Sequence, residues 1–284
     1  MRKFRLICLV LGVVLLFGGL SFVEAEDSLF NSSQNAKTDW EQAVVRAKGY
    51  GVAGNNIQNK TRARILAREA AISMAERHLL AEIKEMNLNS DKRVRDLESD
   101  VVDNELLAAA QEAEVIEGQE PAAGTYMVVI EAEFQGRDGI FAALLSTLKE
   151  EVYSNRDKQL ELSGSSSQNL EYTGVIIDAL NLDLKPALAP KIYDPQERLV
   201  YGMSNLTAQR VEESGVVDYS YSLDAAKNNP RSGSNPLVVK AQELKGKTDL
   251  ILSANDAEQV VQVGEQDDIF KRARVVITVK SSKQ

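Results

Sequence analysis

Between residues 42 and 53 the side chains alternate in two sets, as they do on the two faces of a strand. One set is Ala43, Val45, Ala47, Gly49, Gly51 and Ala53, nearly all small; the other is Gln42, Val44, Arg46, Lys48, Tyr50 and Val52. The period then lengthens. Residues 60–86 contain no Gly or Pro and place Ile65, Ile72, Leu79 and Met86 at heptad spacing, which predicts a long helix. A second stripe of Ala63, Ala67, Ala70 or Ala71, Met74 and Ala81 is small. Two small surfaces allow close approach, so the helix is expected to lie across the strand on them, and a large residue at Gly51 is expected to destabilise the pair.

Further on, residues 101–110 read as a helix, 113–117 and 125–134 as strands joined across 118–124, and 140–153 as a closing helix. Tyr126, Val128, Ile130, Ala132 and Phe134 share one face of the later strand. Residues 163–169, Ser-Gly-Ser-Ser-Ser-Gln-Asn, hold nothing apolar and have the composition of a linker. Strands are expected beyond it at 172–179, 191–193, 199–201, 237–243, 249–253 and 273–280. Asp194-Pro195-Gln196-Glu197 forms a hairpin turn between the second and third of these. Short helices are expected at 206–213 and between 255 and 270. The pattern is α+β in two small domains: a first at 40–160, a sheet packed by a long Ala-rich helix; a linker at 161–169; and a mixed α/β or α+β second domain at 170–284.

The N-terminus reads differently. Arg2, Lys3 and Arg5 precede an apolar run from Leu6 to Leu20, and Val23-Glu24-Ala25 places modest side chains where a signal peptidase reads. Residues 1–25 are therefore expected to be a signal peptide cleaved after Ala25, delivering the chain to the periplasm. The rival is retention of Leu6 to Val23 as an anchor, since 18 residues approach bilayer-spanning length. Cys8, the single cysteine, lies inside the apolar run and not after it, which argues against a lipid anchor. Residues 26–39, rich in Asn, Ser and charge, read as a disordered lead-in.

The chain carries 33 basic and 42 acidic residues; without residues 1–25, which hold three basic and one acidic, 30 face 41, a net charge of −11. An acidic surface disfavours nucleic acid as a partner. With no cysteine left, stability must come from ordinary cores.

Candidate chemistry is sparse. Gly49-Tyr50-Gly51-Val52-Ala53-Gly54 is literally G-x-G-x-x-G, but its glycines fall within the strand pattern, polar residues 55–59 precede the helix, and Glu69 lies mid-helix. His78 is the single histidine, which removes most histidine-based catalytic schemes and multi-histidine metal sites; it reads as a structural residue on the long helix. The serines of 163–168 lack a nucleophile elbow and a base. Asn255-Asp256-Ala257-Glu258 and Glu265-Gln266-Asp267-Asp268 suit helix starts better than metal sites. No catalytic, cofactor or metal residue is assigned, and no enzyme is expected. Lys60, Arg62, Arg64 and Arg68 form a basic cluster at a helix N-terminus, where positive charge opposes the macrodipole. They are either neutralised by the chain's own acids or form a docking patch for an acidic partner.

Ala47-Lys48-Gly49-Tyr50-Gly51-Val52-Ala53, the Ala-rich helix from Ala63 to Leu80 and the strand from Tyr126 to Phe134 together resemble the twenty-kilodalton Lpp envelope lipoprotein family and the N-terminal domain of the flagellar assembly protein T, over residues 45–134. The resemblance implies a non-enzymatic bacterial cell-envelope component for binding or assembly, flagellum- or outer-membrane-associated. Its partners would be envelope proteins, among them flagellar basal-body or outer-membrane components, or further copies of itself. The chain departs from the lipoproteins in lacking a cysteine after the signal's apolar run. The alternative is an exported hydrolase or small-ligand receptor with a pocket at the domain interface.

Overall fold

A hairpin turn fixes where the first long strand begins. In the computed structural model, which describes residues 34–54, 56–97, 99–154, 158–161 and 171–281, β1 (Ala36–Asp39) turns back into β2 (Val44–Val52). Asp39 accepts hydrogen bonds from the amides of Glu41 and Gln42, and Ala43 takes φ 54°, so extended structure resumes at Val44. The lead-in expected through residue 39 thus ends earlier, because Ala36–Asp39 gain a ladder against Ala47–Val44. The expected signal peptide and the Ser163–Asn169 linker lie outside the described residues.

α1 (Lys60–Glu85) follows, capped by Asn59, whose side chain accepts from the Arg62 amide. Its buried row is Ala67, Ala71, Ala75, Leu79 and Ile83, stepping strictly by four. The heptad series does not describe this face: Ile65 is exposed and Ile72 half-buried, and of the expected small stripe Met74 and Ala81 are exposed. A row of fours winds obliquely round a helix, so the contact face turns along α1 as the sheet beneath it twists. α2 (Asp100–Gln111), capped by Ser99, leads to a hairpin of β3 (Glu114–Ala122) and β4 (Thr125–Glu133). Its turn is only Ala123-Gly124, with Gly124 at φ 74°, so the strands run well into the expected loop. Pro121 is tolerated because β3 is an edge strand. The sheet order β1-β2-β4-β3 is antiparallel throughout, and Tyr126, Val128, Ile130, Ala132 and Phe134 do face the core. α3 (Ile140–Ser154) closes this half.

The second half builds two more sheets. β5 (Gly174–Asp178) is followed by the expected hairpin of β6 (Ile192–Tyr193) and β7 (Leu199–Tyr201), then α4 (Ala208–Ser214), β8 (Asp218–Ser220), α5 (Leu223–Asn228), β9 (Pro236–Lys240), β10 (Glu243–Lys245), β11 (Asp249–Ile251), α6 (Ala254–Glu265) and β12 (Val275–Thr278). One sheet is mixed, β10-β11-β6-β7; the other, β8-β12-β5-β9, is parallel throughout. In the parallel sheet Ile176 and Val276 pack under Ala226 of α5, while Val175, Ile177, Val275 and Ile277 face the opposite side with the Ala257 and Val260 of α6. The fold is α+β.

The halves read as two domains share one core within the compact unit Gln34–Gln284. Trp40 sits edge-on between Phe134 of the first half and Tyr219 of β8, with centroids 5.2 and 5.6 Å away. Leu188 and Ala189 donate their amides to the carbonyls of Asn87 and Leu88, and the Ser90 hydroxyl donates to the Lys245 carbonyl at 2.8 Å.

Candidate partner-binding surface

The N-terminal half of α1 presents two flanks, one on each side of its buried row. One residue ahead of that row run Lys60, Arg64 and Arg68, over the β3–β4 hairpin. There Arg64 Nε lies 3.4 Å from Glu120 Oε2, and its guanidinium is 5.9 Å from the Tyr126 ring centre. One residue behind run Arg62, Leu66, Ala70, Met74, His78 and Glu82. The basic cluster expected from sequence is therefore divided between two flanks, because residues four apart align on a helix and residues two apart do not. Arg64 is neutralised by the chain's own acid. Among the described residues Lys60, Arg62 and Arg68 take part in no ion pair, and neither does Arg77, three residues beyond Met74.

The second flank is the informative one. At its far end Glu82 Oε1 accepts from Thr38 Oγ1 of β1 at 2.8 Å, and His78 Nδ1 donates to the Lys48 carbonyl at 2.7 Å. His78 is thus a half-buried structural residue that caps the outer edge of β2. β1 stops pairing there: its last register pair is Ala36 with Ala47, plus one bond from the Lys48 amide to the Asn35 carbonyl. Among the described residues, no strand pairs with Gly49–Val52 on the side away from β4. Leu66, Ala70 and Met74 run along this stretch, and the Ala70 methyl would come within 2.9 Å of a Cβ at Gly51. Leu66 and Met74 are each 37% exposed on the α1 side of this edge, whereas Tyr50 (50%) and Val52 (67%) are exposed on the opposite face of the sheet, since Gly49 and Gly51 face α1. Among the described residues an apolar notch one strand wide results, with Arg62 at its end; Arg77, two residues beyond buried Ala75, lies on the side of α1 away from the sheet.

The other sequence candidates take structural places. Gly49 and Gly51 face α1, not a ligand: a Cβ at either would overlap helix backbone atoms, so the G-x-G-x-x-G run is a packing surface. Glu69 is exposed on α1. Ser253, not Asn255, caps α6; its hydroxyl accepts from the Asp256 amide and donates to Asp256 Oδ2 at 2.7 Å, a reciprocal cap set two residues earlier than expected. Asp267 and Asp268 do not start an α-helix but form a tight turn after α6, with φ of 48° and 56°; Lys271 holds the Asp268 carboxyl below its ordinary range. Among the described residues no group of three His, Cys, Asp or Glu side chains is placed to hold a metal ion, and no helix is long and apolar enough to cross a membrane.

Two polar clusters escaped the sequence reading because their members lie far apart in the chain. At the carboxyl end of the parallel sheet, where crevices of open α/β sheets bind ligands, Thr278 Oγ1 donates to Asp178 Oδ1 at 2.9 Å and accepts from the Ala179 amide. These groups satisfy each other and tie β5 to β12. Arg231, nearly buried, lies 3.0 Å from Asp218 Oδ1 and donates to the Ser214 carbonyl. Burial pulls its pKa down and Asp218 pushes it back up.

Residues 174–281 match the family described as Treponema pallidum Tp0624, second domain. The match begins with β5 and ends just beyond β12, so it takes in the whole parallel sheet. The notch on β2 lies outside it. No curated protein matches the chain.

Proposed function

We propose that this chain is an exported bacterial cell-envelope protein that binds and assembles with other proteins and catalyses no reaction. On this reading it works in the periplasm after cleavage behind Ala25. Its partners are envelope proteins, among them flagellar basal-body or outer-membrane components. The resemblance of residues 45–134 to envelope lipoproteins and the flagellar assembly protein T supports the setting.

The observation that carries the binding role is the outer edge of β2 at Gly49–Val52, which among the described residues no strand covers, beneath Leu66, Ala70 and Met74. Backbone amides and carbonyls on such an edge accept a further strand, and the apolar flank supplies a pocket for its side chains. Arg62, on the same flank and in no ion pair among the described residues, favours an acidic partner.

The test is site-directed photocrosslinking in cells, with the probe at Met74 and a control probe at exposed Glu258 of α6. The Met74 probe is expected to give discrete crosslinks to envelope protein that Leu66→Asp removes. A Met74 probe that crosslinks no more than the Glu258 probe would remove the reading.

A further inference from the structure

We propose that the end of the first half where β2 runs out and α1 begins docks on an anionic phospholipid surface. There Ala53 donates its amide to the Gly124 carbonyl, so the tip of the β3–β4 hairpin lies beside the loop that leads into α1. Pro121, Ala122 and Ala123 of the hairpin are exposed. Val52 stands out on the sheet side of this pole, 67% exposed, and Ile65 on the helix side, 53% exposed.

Charge complementarity selects the partner. Residues 51–68 contain four cations, Lys60, Arg62, Arg64 and Arg68, and no acid, and residues 121–130 are uncharged. Residues 26–284 as a whole carry a net charge of −11, so the pole is a cationic cap on an acidic protein. The acids that border it in sequence are Glu69 and Glu120, of which Glu120 is held by Arg64. Helical side chains lean towards the N-terminus of their helix, so the cations on both flanks of α1 reach forward to the pole. In that place they oppose the macrodipole and do not serve the helix itself.

An apolar tip ringed by Lys and Arg suits the boundary between phospholipid headgroups and acyl chains: the uncharged residues enter and the cations meet phosphates. Each Lys or Arg brought to an anionic surface strengthens binding roughly fivefold, and salt screens that gain. The inference goes beyond the protein-binding role and does not depend on it. A chain that captures no protein through Met74 can still dock here.

Cosedimentation of the chain from Glu26 to Gln284 with lipid vesicles tests this. Binding is expected to vesicles containing phosphatidylglycerol, is lost in high salt, and is absent with phosphatidylcholine alone. Arg62→Glu with Arg68→Glu is expected to weaken it at least tenfold with an unchanged melting temperature. Lys227→Glu with Lys247→Glu, an equal change of charge at exposed positions of the second half, is expected to weaken it far less. Because Cys8 is the single cysteine and precedes Glu26, a polarity-sensitive fluorophore can be placed at Ala123→Cys, with Glu258→Cys as the control. The label at 123 is expected to shift to the blue on phosphatidylglycerol vesicles and the label at 258 to stay unchanged, a readout that serves even if the charge reversals do not fold. A chain that stays in the supernatant at low salt, as it would if Glu26 and Asp27 of its own N-terminal segment occupied the pole, overturns the inference. So does equal binding to neutral vesicles, or binding without a shift at 123, which would mark a patch for an acidic protein.

Discussion

Gly51 lies against the main chain of Ala67: a Cβ at this glycine would overlap the Ala67 carbonyl oxygen and the Ala71 amide nitrogen. Gly49 repeats the relationship one helical turn on, against Ala71 and Ala75. Two strand residues advance about 6.7 Å and four helix residues about 6 Å, so a glycine at every second strand position keeps step with an alanine at every fourth helix position. This seam is thus backbone against backbone.

Gly51→Leu is expected to destabilise the protein by at least about 3 kcal/mol, the upper end for overpacking, because the obstacle is main chain that cannot rotate away. Gly51→Ala is also expected to destabilise, although alanine normally stabilises a strand relative to glycine. Urea denaturation measures both, and an unchanged midpoint for Gly51→Leu would refute the seam.

Trp40→Ala is expected to cost about 3 kcal/mol, since it removes edge-on contacts to both Phe134 and Tyr219 and so loosens the two halves together. Trp40 is the single tryptophan. Its fluorescence in the unmodified protein should therefore change in the same transition as the far-ultraviolet circular dichroism, and two separate transitions would contradict a shared core.

Arg231→Met is expected to cost about 3–5 kcal/mol by leaving Asp218 without its cation in a largely buried site. Adding Asp218→Asn should recover part of that loss. A double-mutant cycle with no coupling would show that the pair is not a unit.

Asp249 gives a pH dependence. Burial raises its carboxyl above the ordinary 3.8, against the Lys191 amide and the Ser90 and Thr248 hydroxyls, which pull it down. A raised carboxyl binds its proton more tightly in the folded state. Its contribution is fully present below the unfolded value near 3.8 and is lost as pH rises through the folded value. Relative to Asp249→Asn, the unmodified protein should gain stability on acidification from neutral pH down to about that value. A difference in urea midpoints that does not vary with pH would contradict this.

What the sequence disclosed was local. The alternation at 42–53 and the alanine spacing in 60–86 marked both partners of the seam, because small residues leave a periodic trace. Which helical row was buried did not show: Ile65 and Ile72 outweigh Ala71 and Ala75 in any reading by hydrophobicity, yet only a methyl fits over glycine. The β8–α5 segment left no trace, since three-residue strands and a six-residue helix carry too little period. The binding surface was half legible. Arg62 stood out as charge, but in a cluster whose other members, Lys60, Arg64 and Arg68, lie on the opposite flank, and the notch depends on where β1 stops relative to β2, which is a matter of register and not of composition.

The order β8-β12-β5-β9 places the last strand of the chain in the interior of its sheet, between the first and second of that sheet's strands. A ribosome, or any channel that delivers the chain from its N-terminus, releases β5, β8 and β9 long before the strand that joins β8 to the others. The second half must wait with β5 half-paired until Val275–Thr278 arrive, and loss of the final ten residues would remove not a trimmed edge but the piece that closes the sheet.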